Sequence, residues 1–383
     1  GSKEVMASAP LMSLLYDRTF FAGSFASAWR ARWKTYLGLM AGWALLAWLV
    51  FGTAGRGGTA GFGLDLTPLR YAATQACAIT RYLGLAFWPR PLVFDYGMHL
   101  EREAWLIVPC VALVGGLAAL TLVTLRKRPV PGFAGALFFA VLAPSSSIVP
   151  VATQTMAEHR MYLPLGVVLT LAVGGLWGWA GRRAVALLAV ALVAAGVATG
   201  VRNADYASAE RLWRDTVRKW PTNARAHNNL ASILLARSEA AAGMAELEEA
   251  LRLDPRYTDA LLNLSRAELE AGRVEQALVR AEAAQRGAID SAAGWGVVGS
   301  VQLAAGRVTA AKAAWTEALR RRPDWAEAHF SLGQIGQRSG DPAAAATAFG
   351  EAVRLKPGWG EAHQERAGAL NDLGRTVEAL PHA

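Results

Sequence analysis

A succession of uncharged, largely apolar stretches in the first half limits the folds open to this chain more than any other feature. Residues 35–55 (21 positions), 104–125 (22), 129–157 (29), 161–181 (21) and 184–201 (18) contain no Asp, Glu, Lys or Arg. A helix needs about 20 apolar residues to cross a hydrocarbon layer about 30 Å thick. In that medium only helices and closed barrels satisfy every backbone donor and acceptor, and unbroken runs of this length select helices over strands. Residues 5–16 add a run of 12, too short alone, which reads as a span clipped at its start. Buried helices of a water-soluble domain do not account for five such runs. Residues 1–202 are therefore expected to form a polytopic transmembrane bundle of about six spans.

Charge agrees with that division. Residues 1–202 hold 17 Lys and Arg against 7 Asp and Glu, and the remainder holds 22 against 23. The whole positive excess lies between the apolar runs, where it marks membrane topology and not a nucleic-acid surface. No nucleic-acid partner is expected. Arg18, Arg30, Arg32 and Lys34 separate the first two spans, Arg126, Lys127 and Arg128 the third and fourth, and Arg182 and Arg183 the last two. These alternate connections are expected on the cytoplasmic side. Segments 56–103 and 150–160, and everything after Arg202, then face outward. Within the first of these, 66–88 reads as an interfacial helix punctuated by Arg70 and Arg81 and broken by Trp88-Pro89-Arg90-Pro91. Arginine outnumbers lysine 33 to 6, a bias of GC-rich bacterial genomes, so the expected location is a bacterial inner membrane with the second half in the periplasm. Cys77 and Cys110 provide neither a disulfide framework nor metal-ligand spacing, and no metal or cofactor is expected.

The second half is periodic. Pro221 and Pro255 are 34 residues apart, as are Pro323 and Pro357, and Pro255 and Pro323 are separated by 68. Ala250, Ala284, Ala318 and Ala352 recur with the same period, as do Trp315 with Phe349 and Gly299 with Gly333. A 34-residue period of paired helices closed by proline is the tetratricopeptide repeat. Residues 203–383 are expected to form an α-solenoid with units 224–257, 258–291, 292–325 and 326–359, a half-unit closed by Trp213 and Pro221 before them, and a partial unit 360–383. Such arrays commonly bind an extended peptide along the concave face made by first helices. Phasing puts Arg225, Asn228, Asp259, Arg266, Glu327, Phe330 and Gln334 there. The overall fold class is thus all-α, a transmembrane bundle followed by a solenoid.

Several stretches of the first half carry a family resemblance. These are Ser2-Lys3-Glu4 with Tyr16-Asp17-Arg18, the segment Arg81-Tyr82-Leu83-Gly84-Leu85-Ala86-Phe87-Trp88-Pro89 leading into Phe94-Asp95-Tyr96-Gly97, and Ser145-Ser146-Ser147 before Glu158-His159-Arg160-Met161-Tyr162-Leu163-Pro164. Together with outward repeats, they resemble the transmembrane and tetratricopeptide-repeat-containing O-mannosyltransferases and their bacterial relatives. Eukaryotic members commonly carry Ser after the final proline, where this chain has Leu165.

The resemblance implies a C-class glycosyltransferase that moves a sugar, mannose in the eukaryotic members, from a polyprenyl-phosphate lipid to Ser or Thr hydroxyls on the outer side. Its partners would be the bilayer, the polyprenyl-phosphate sugar and a protein acceptor bound by the repeats. Such chemistry needs a carboxylate base for the acceptor hydroxyl and cations on the departing phosphate. Arg160, His159, Arg81 and Lys3 are the phosphate candidates, and Glu158 and Asp95 the candidate bases. Each also has a plain structural reading: the arginines snorkel to headgroups, Glu158 pairs with Arg160, and Asp95 caps a turn before Gly97. The family's acidic residues belong to a first outward loop upstream of the matched region, so the chain is expected to be an amino-terminally truncated, inactive piece. The rival reading is a membrane-anchored scaffold whose repeats recruit an envelope or secreted protein without chemistry.

Overall fold

The computed structural model describes residues 8–52, 67–143, 155–287 and 289–379. Lys3, Glu4, Ser145–Ser147 and the glycine-rich segment 55–63 lie outside the described residues. The described chain is helical with no strand, and it divides into two compact units, Gly1–Asn223 and Ala224–Ala383. Residues 203–223, expected with the repeats, fall in the first unit.

In the first unit the helices are α1 (Ala9–Asp17), α2 (Phe25–Gly52), α3 (Pro68–Phe87), α4 (Ala104–Lys127), α5 (Pro129–Leu142), α6 (Tyr162–Ala180), α7 (Arg183–Asp205) and α8 (Ala209–Lys219). A short 3₁₀ turn, Glu158–Met161, leads into α6. Among the described residues three helical stretches, Ala104–Lys127, Glu158–Ala180 and Arg183–Asp205, are long and apolar enough to cross a membrane. At 1.5 Å per residue each is about 35 Å long. Their apolar side chains face outward: on α7, Val190 is 70% and Leu192 74% exposed. Monomeric soluble proteins rarely expose contiguous apolar patches of this kind. Of the expected span 129–157, helix α5 covers 14 residues and ends at Leu142, and 144–154 lie outside the described residues. The described part is about 21 Å of helix, short of the hydrocarbon thickness.

Two contacts order the basic connections. Arg18 donates from Nη1 to the Leu125 carbonyl at the end of α4, 3.0 Å away. Asp17, buried beside it, accepts from Arg32 Nη1 at 3.0 Å and from the Tyr36 hydroxyl at 2.6 Å. The turn between α4 and α5 is tight, since a Cβ on Gly132 would collide with the Leu125 backbone.

The second unit consists of helix pairs α9 (Ala224–Ala236) with α10 (Ala240–Leu253), α11 (Thr258–Glu270) with α12 (Val274–Gln285), α13 (Ala292–Ala304) with α14 (Val308–Arg321), α15 (Ala326–Arg338) with α16 (Pro342–Leu355), and α17 (Gly360–Asp372) with the short α18 (Thr376–Ala379). First helices begin at 224, 258, 292, 326 and 360, a constant step of 34. The turn within each pair repeats too: Ser238, Gly272, Gly306, Gly340 and Gly374 all have positive φ, between 63° and 74°. Ala250, Ala284, Ala318 and Ala352 are fully buried. Large and small residues interlock between the paired helices. A Cβ on Gly299 would stand 2.6 Å from the Trp315 indole, and one on Gly333 2.5 Å from the Phe349 ring. In the two earlier pairs the same positions carry Leu247 with Ala231 and Ala281 with Ser265, all buried. Total volume is thus shared differently while the seam stays filled.

Candidate functional site

In the first unit, polar groups gather where three chain ends meet: the last turns of α3, the loop 88–103 entering α4, and the segment 155–161 entering α6. On α3, Tyr71, Gln75, Ala78 and Tyr82 form one buried stripe at helical spacing. Tyr82 and Gln75 use it to hold the third segment. The Tyr82 hydroxyl accepts from the Ala157 N–H at 2.7 Å, and Gln75 Nε2 donates to the Thr155 carbonyl at 2.8 Å. Arg160 Nη1 donates to that same carbonyl at 3.1 Å, and the His99 N–H reaches the Thr155 hydroxyl at 3.1 Å.

Glu158 joins the other two ends. Its Oε1 accepts from the Val93 N–H and from the Tyr96 hydroxyl, each at 2.7 Å. Arg81 Nε donates to the Tyr96 oxygen at 3.2 Å, and its guanidinium lies over the rings of Tyr96 (5.1 Å) and Trp220 (5.0 Å). Burial, and then the adjoining Glu158 carboxylate, push the Tyr96 hydroxyl above the ordinary tyrosine range, so it remains a donor. Arg202 and Arg81 both lie within electrostatic reach of Glu158.

Of the phosphate and base candidates, Arg81 and Glu158 are therefore joined through the Tyr96 hydroxyl, while Arg160 bonds the nearby Thr155 carbonyl. His159 is exposed beside it. Asp95 holds a turn: its Oδ1 accepts from the Gly97 N–H at 2.7 Å, Gly97 has φ 65°, and Asn223 Nδ2 donates to the Asp95 carbonyl at 2.8 Å.

A neighbouring group was missed in the sequence. Asp215, 5% exposed, accepts from Arg202 Nη1 (2.7 Å), Arg218 Nη2 (2.9 Å) and Lys219 Nζ (2.6 Å). Burial pushes its carboxyl up, but the bonds from Lys219 and Arg202 outweigh that and hold it below the usual carboxylate range. The spacing of Asp215, Arg218 and Lys219, at i, i+3 and i+4 on one helix face, was the available signal.

In the second unit a groove of about 610 Å³ runs along the first helices α9, α11 and α13. Asn228, Asp259 and Arg266 line it, together with Asn263, Glu270, Ser300 and Trp325, which sequence phasing did not single out. Asn263 is one period after Asn229, so the repeat itself could have found it. Asn263 Nδ2 donates to Asn228 Oδ1 at 2.9 Å, linking successive repeats. Arg225, Glu327 and Gln334 do not line this groove; Glu327 instead pairs with Lys356 at 3.5 Å. Phe330 does not line it either: it is buried between Phe349 (ring centroids 5.2 Å) and Trp359 (4.5 Å), where the large ring fills the seam between repeats. Among the described residues no group of three His, Cys, Asp or Glu could hold a metal ion.

Comparison with known proteins bears on the second half. No curated protein matches the chain. Solved structures with similarity include MamA (21% identity, covering 40% of this chain and 90% of that one, TM-score 0.38). YrrB, titled a TPR protein with an unusual peptide-binding site, has 18% identity, covers 45% and 90%, and gives 0.41. PilF of Pseudomonas aeruginosa has 21% identity, covers 42% and 72%, and gives 0.38. The tetratricopeptide repeat family matches residues 201–256, 243–293 and 299–358, and over these residues the chain carries tetratricopeptide repeats.

Proposed function

We propose that this is a membrane-embedded tetratricopeptide-repeat protein whose array captures an extended segment of a partner protein on the outer side of the membrane. The observation that carries the binding half is the groove on α9, α11 and α13, where Asn228 and Asn263 offer amides suited to a peptide backbone beside the charges of Asp259, Arg266 and Glu270. The membrane half rests on three long apolar helices with exposed apolar faces. The Arg18–Leu125 contact supports the expected sidedness, since it joins two of the basic connections.

The test has two arms. A reporter fused at Arg128 should report the cytoplasmic side of a bacterial inner membrane and one fused after α18 the outer side, with the membrane fraction resisting carbonate extraction. Peptide-array binding to the intact protein should fall about tenfold in Asn263→Ala combined with Arg266→Glu. Unchanged binding would overturn the groove assignment.

A second reading, glycosyl transfer from a polyprenyl-phosphate sugar to Ser or Thr hydroxyls, is favoured by one observation. Glu158, a carboxylate able to serve as base, is joined to Arg81 through the Tyr96 hydroxyl, and Arg160 stands two residues further on at the same meeting of loops. Its test is transfer of labelled mannose from polyprenyl-phosphate mannose in membranes carrying the protein, compared with Glu158→Gln. Label transfer equal in the two would exclude Glu158 as the base.

A further inference from the structure

A second cleft in the first unit, about 730 Å³, opens between the end of α3, the segment 89–92, α6, α7 and α8. Its character changes along its length. Leu85, Leu92, Leu165, Leu169, Ala198 and Val201 form an apolar wall. At the other end stand Arg90, Arg202, Arg218 and Lys219, with Asp205.

The charges do not cancel. Arg202, Arg218 and Lys219 all converge on Asp215, and Arg202 also reaches Asp205 at 3.0 Å. Four cations against two carboxylates leave two positive charges unbalanced. Adding the nearby Glu158 and Arg81 brings one charge of each sign and changes nothing. Arg90 is exposed, and its side chain has no hydrogen-bond or ion-pair partner among the described residues. The Arg218 side chain is 77% exposed and engages Asp215 through Nη2 alone, so its remaining N–H groups are available. Asp215 therefore orients the cations more than it neutralises them. Arg218 and Lys219 also occupy the last turn of α8, where the helix dipole favours cations over bound anions, so the excess charge belongs to the side chains.

We propose that this cleft binds the phosphate of a membrane lipid, with Arg90, Arg218 and Lys219 on the phosphate and the hydrocarbon chain against the α6–α7 wall. The inference rests on the reading of α6 and α7 as membrane spans. A phosphomonoester carries between one and two negative charges near neutral pH, matching the excess, and arginine donates to its oxygens in pairs. Arg202 stands in the last turn of a candidate span, the depth at which headgroups lie. The apolar wall is what distinguishes a lipid from free phosphate, which shares the headgroup chemistry but has no use for the wall.

The test uses the full chain purified in phosphatidylcholine nanodiscs with and without a minor fraction of phosphatidic acid, with retained lipid read by native mass spectrometry. Wild type should retain phosphatidic acid about tenfold over phosphatidylcholine. Arg90→Gln with Arg218→Gln should lose that preference, whereas Arg102→Gln, exposed elsewhere on the same loop, should keep it. Both substituted residues are exposed, and the buried Asp215 keeps its bonds from Arg202 and Lys219 in the double variant. Equal retention by wild type and the double variant overturns the proposal. Displacement by inorganic phosphate at concentrations matching the lipid overturns its lipid part. Release of the protein by carbonate overturns the membrane reading itself, which separates that failure from loss of lipid selectivity in a protein that stays embedded.

Discussion

The Tyr96 hydroxyl donates to Glu158 Oε1 at 2.7 Å, and this bond fastens the loop before α4 to the turn before α6. Removing the donor leaves a half-buried carboxylate short of a partner, at a cost of about 1–3 kcal/mol. Tyr96→Phe should therefore lower the thermal midpoint of the first unit. Glu158→Gln keeps an acceptor at the same place and should hold that midpoint close to wild type. Calorimetry of both variants separates the structural part of Glu158 from any chemical one.

The seam between α15 and α16 has no spare volume at Gly333, whose Cβ would stand 2.5 Å from the Phe349 ring. Gly333→Ala is expected to destabilise the array by about 1–3 kcal/mol through overpacking. Adding Phe349→Leu should restore part of the loss, because the pair Ala231 and Leu247 already fills the equivalent seam in the first repeat. Denaturant midpoints of the single and double variants check this coupling.

Ser238 takes the left-handed turn position, φ 63°, that glycine holds in the other four pairs. A side chain there costs about 1 kcal/mol relative to glycine. Ser238→Gly should raise the urea midpoint by a corresponding amount. The reverse change in a later turn, Gly306→Ala, should lower it by a similar amount.

Glu268 is 4% exposed, and its Oε2 has no hydrogen-bond partner among the described residues. Burial pushes its carboxyl above the usual range, against the opposing pull of Arg280 and Arg273. With the folded value raised, its contribution to stability is fully present below the unfolded glutamate value of about 4.3 and is lost as pH rises through the folded value. The next repeat has Gln302 at the equivalent position. Glu268→Gln should stabilise the array by about 1 kcal/mol at neutral pH, with the gain disappearing in acid. A gain that persists unchanged at low pH would assign the effect to packing instead of charge.

The sequence by itself determined the features that local chemistry enforces. The 34-residue step in helix starts at 224, 258, 292, 326 and 360 follows from residues repeated at that period. The helices Ala104–Lys127 and Arg183–Asp205 follow from uninterrupted apolar composition, and the break at 88–91 from its prolines. Only the tertiary structure decided which residues meet. It buried Phe330 between Phe349 and Trp359 where phasing had put it in the groove. Glu158 and Tyr96 are separated by 62 positions, and Arg202 and Asp215 lie on different helices. Such pairings leave no periodic mark, because hydrogen-bond partners are chosen by where loops and helix ends converge, and that depends on packing across the whole unit.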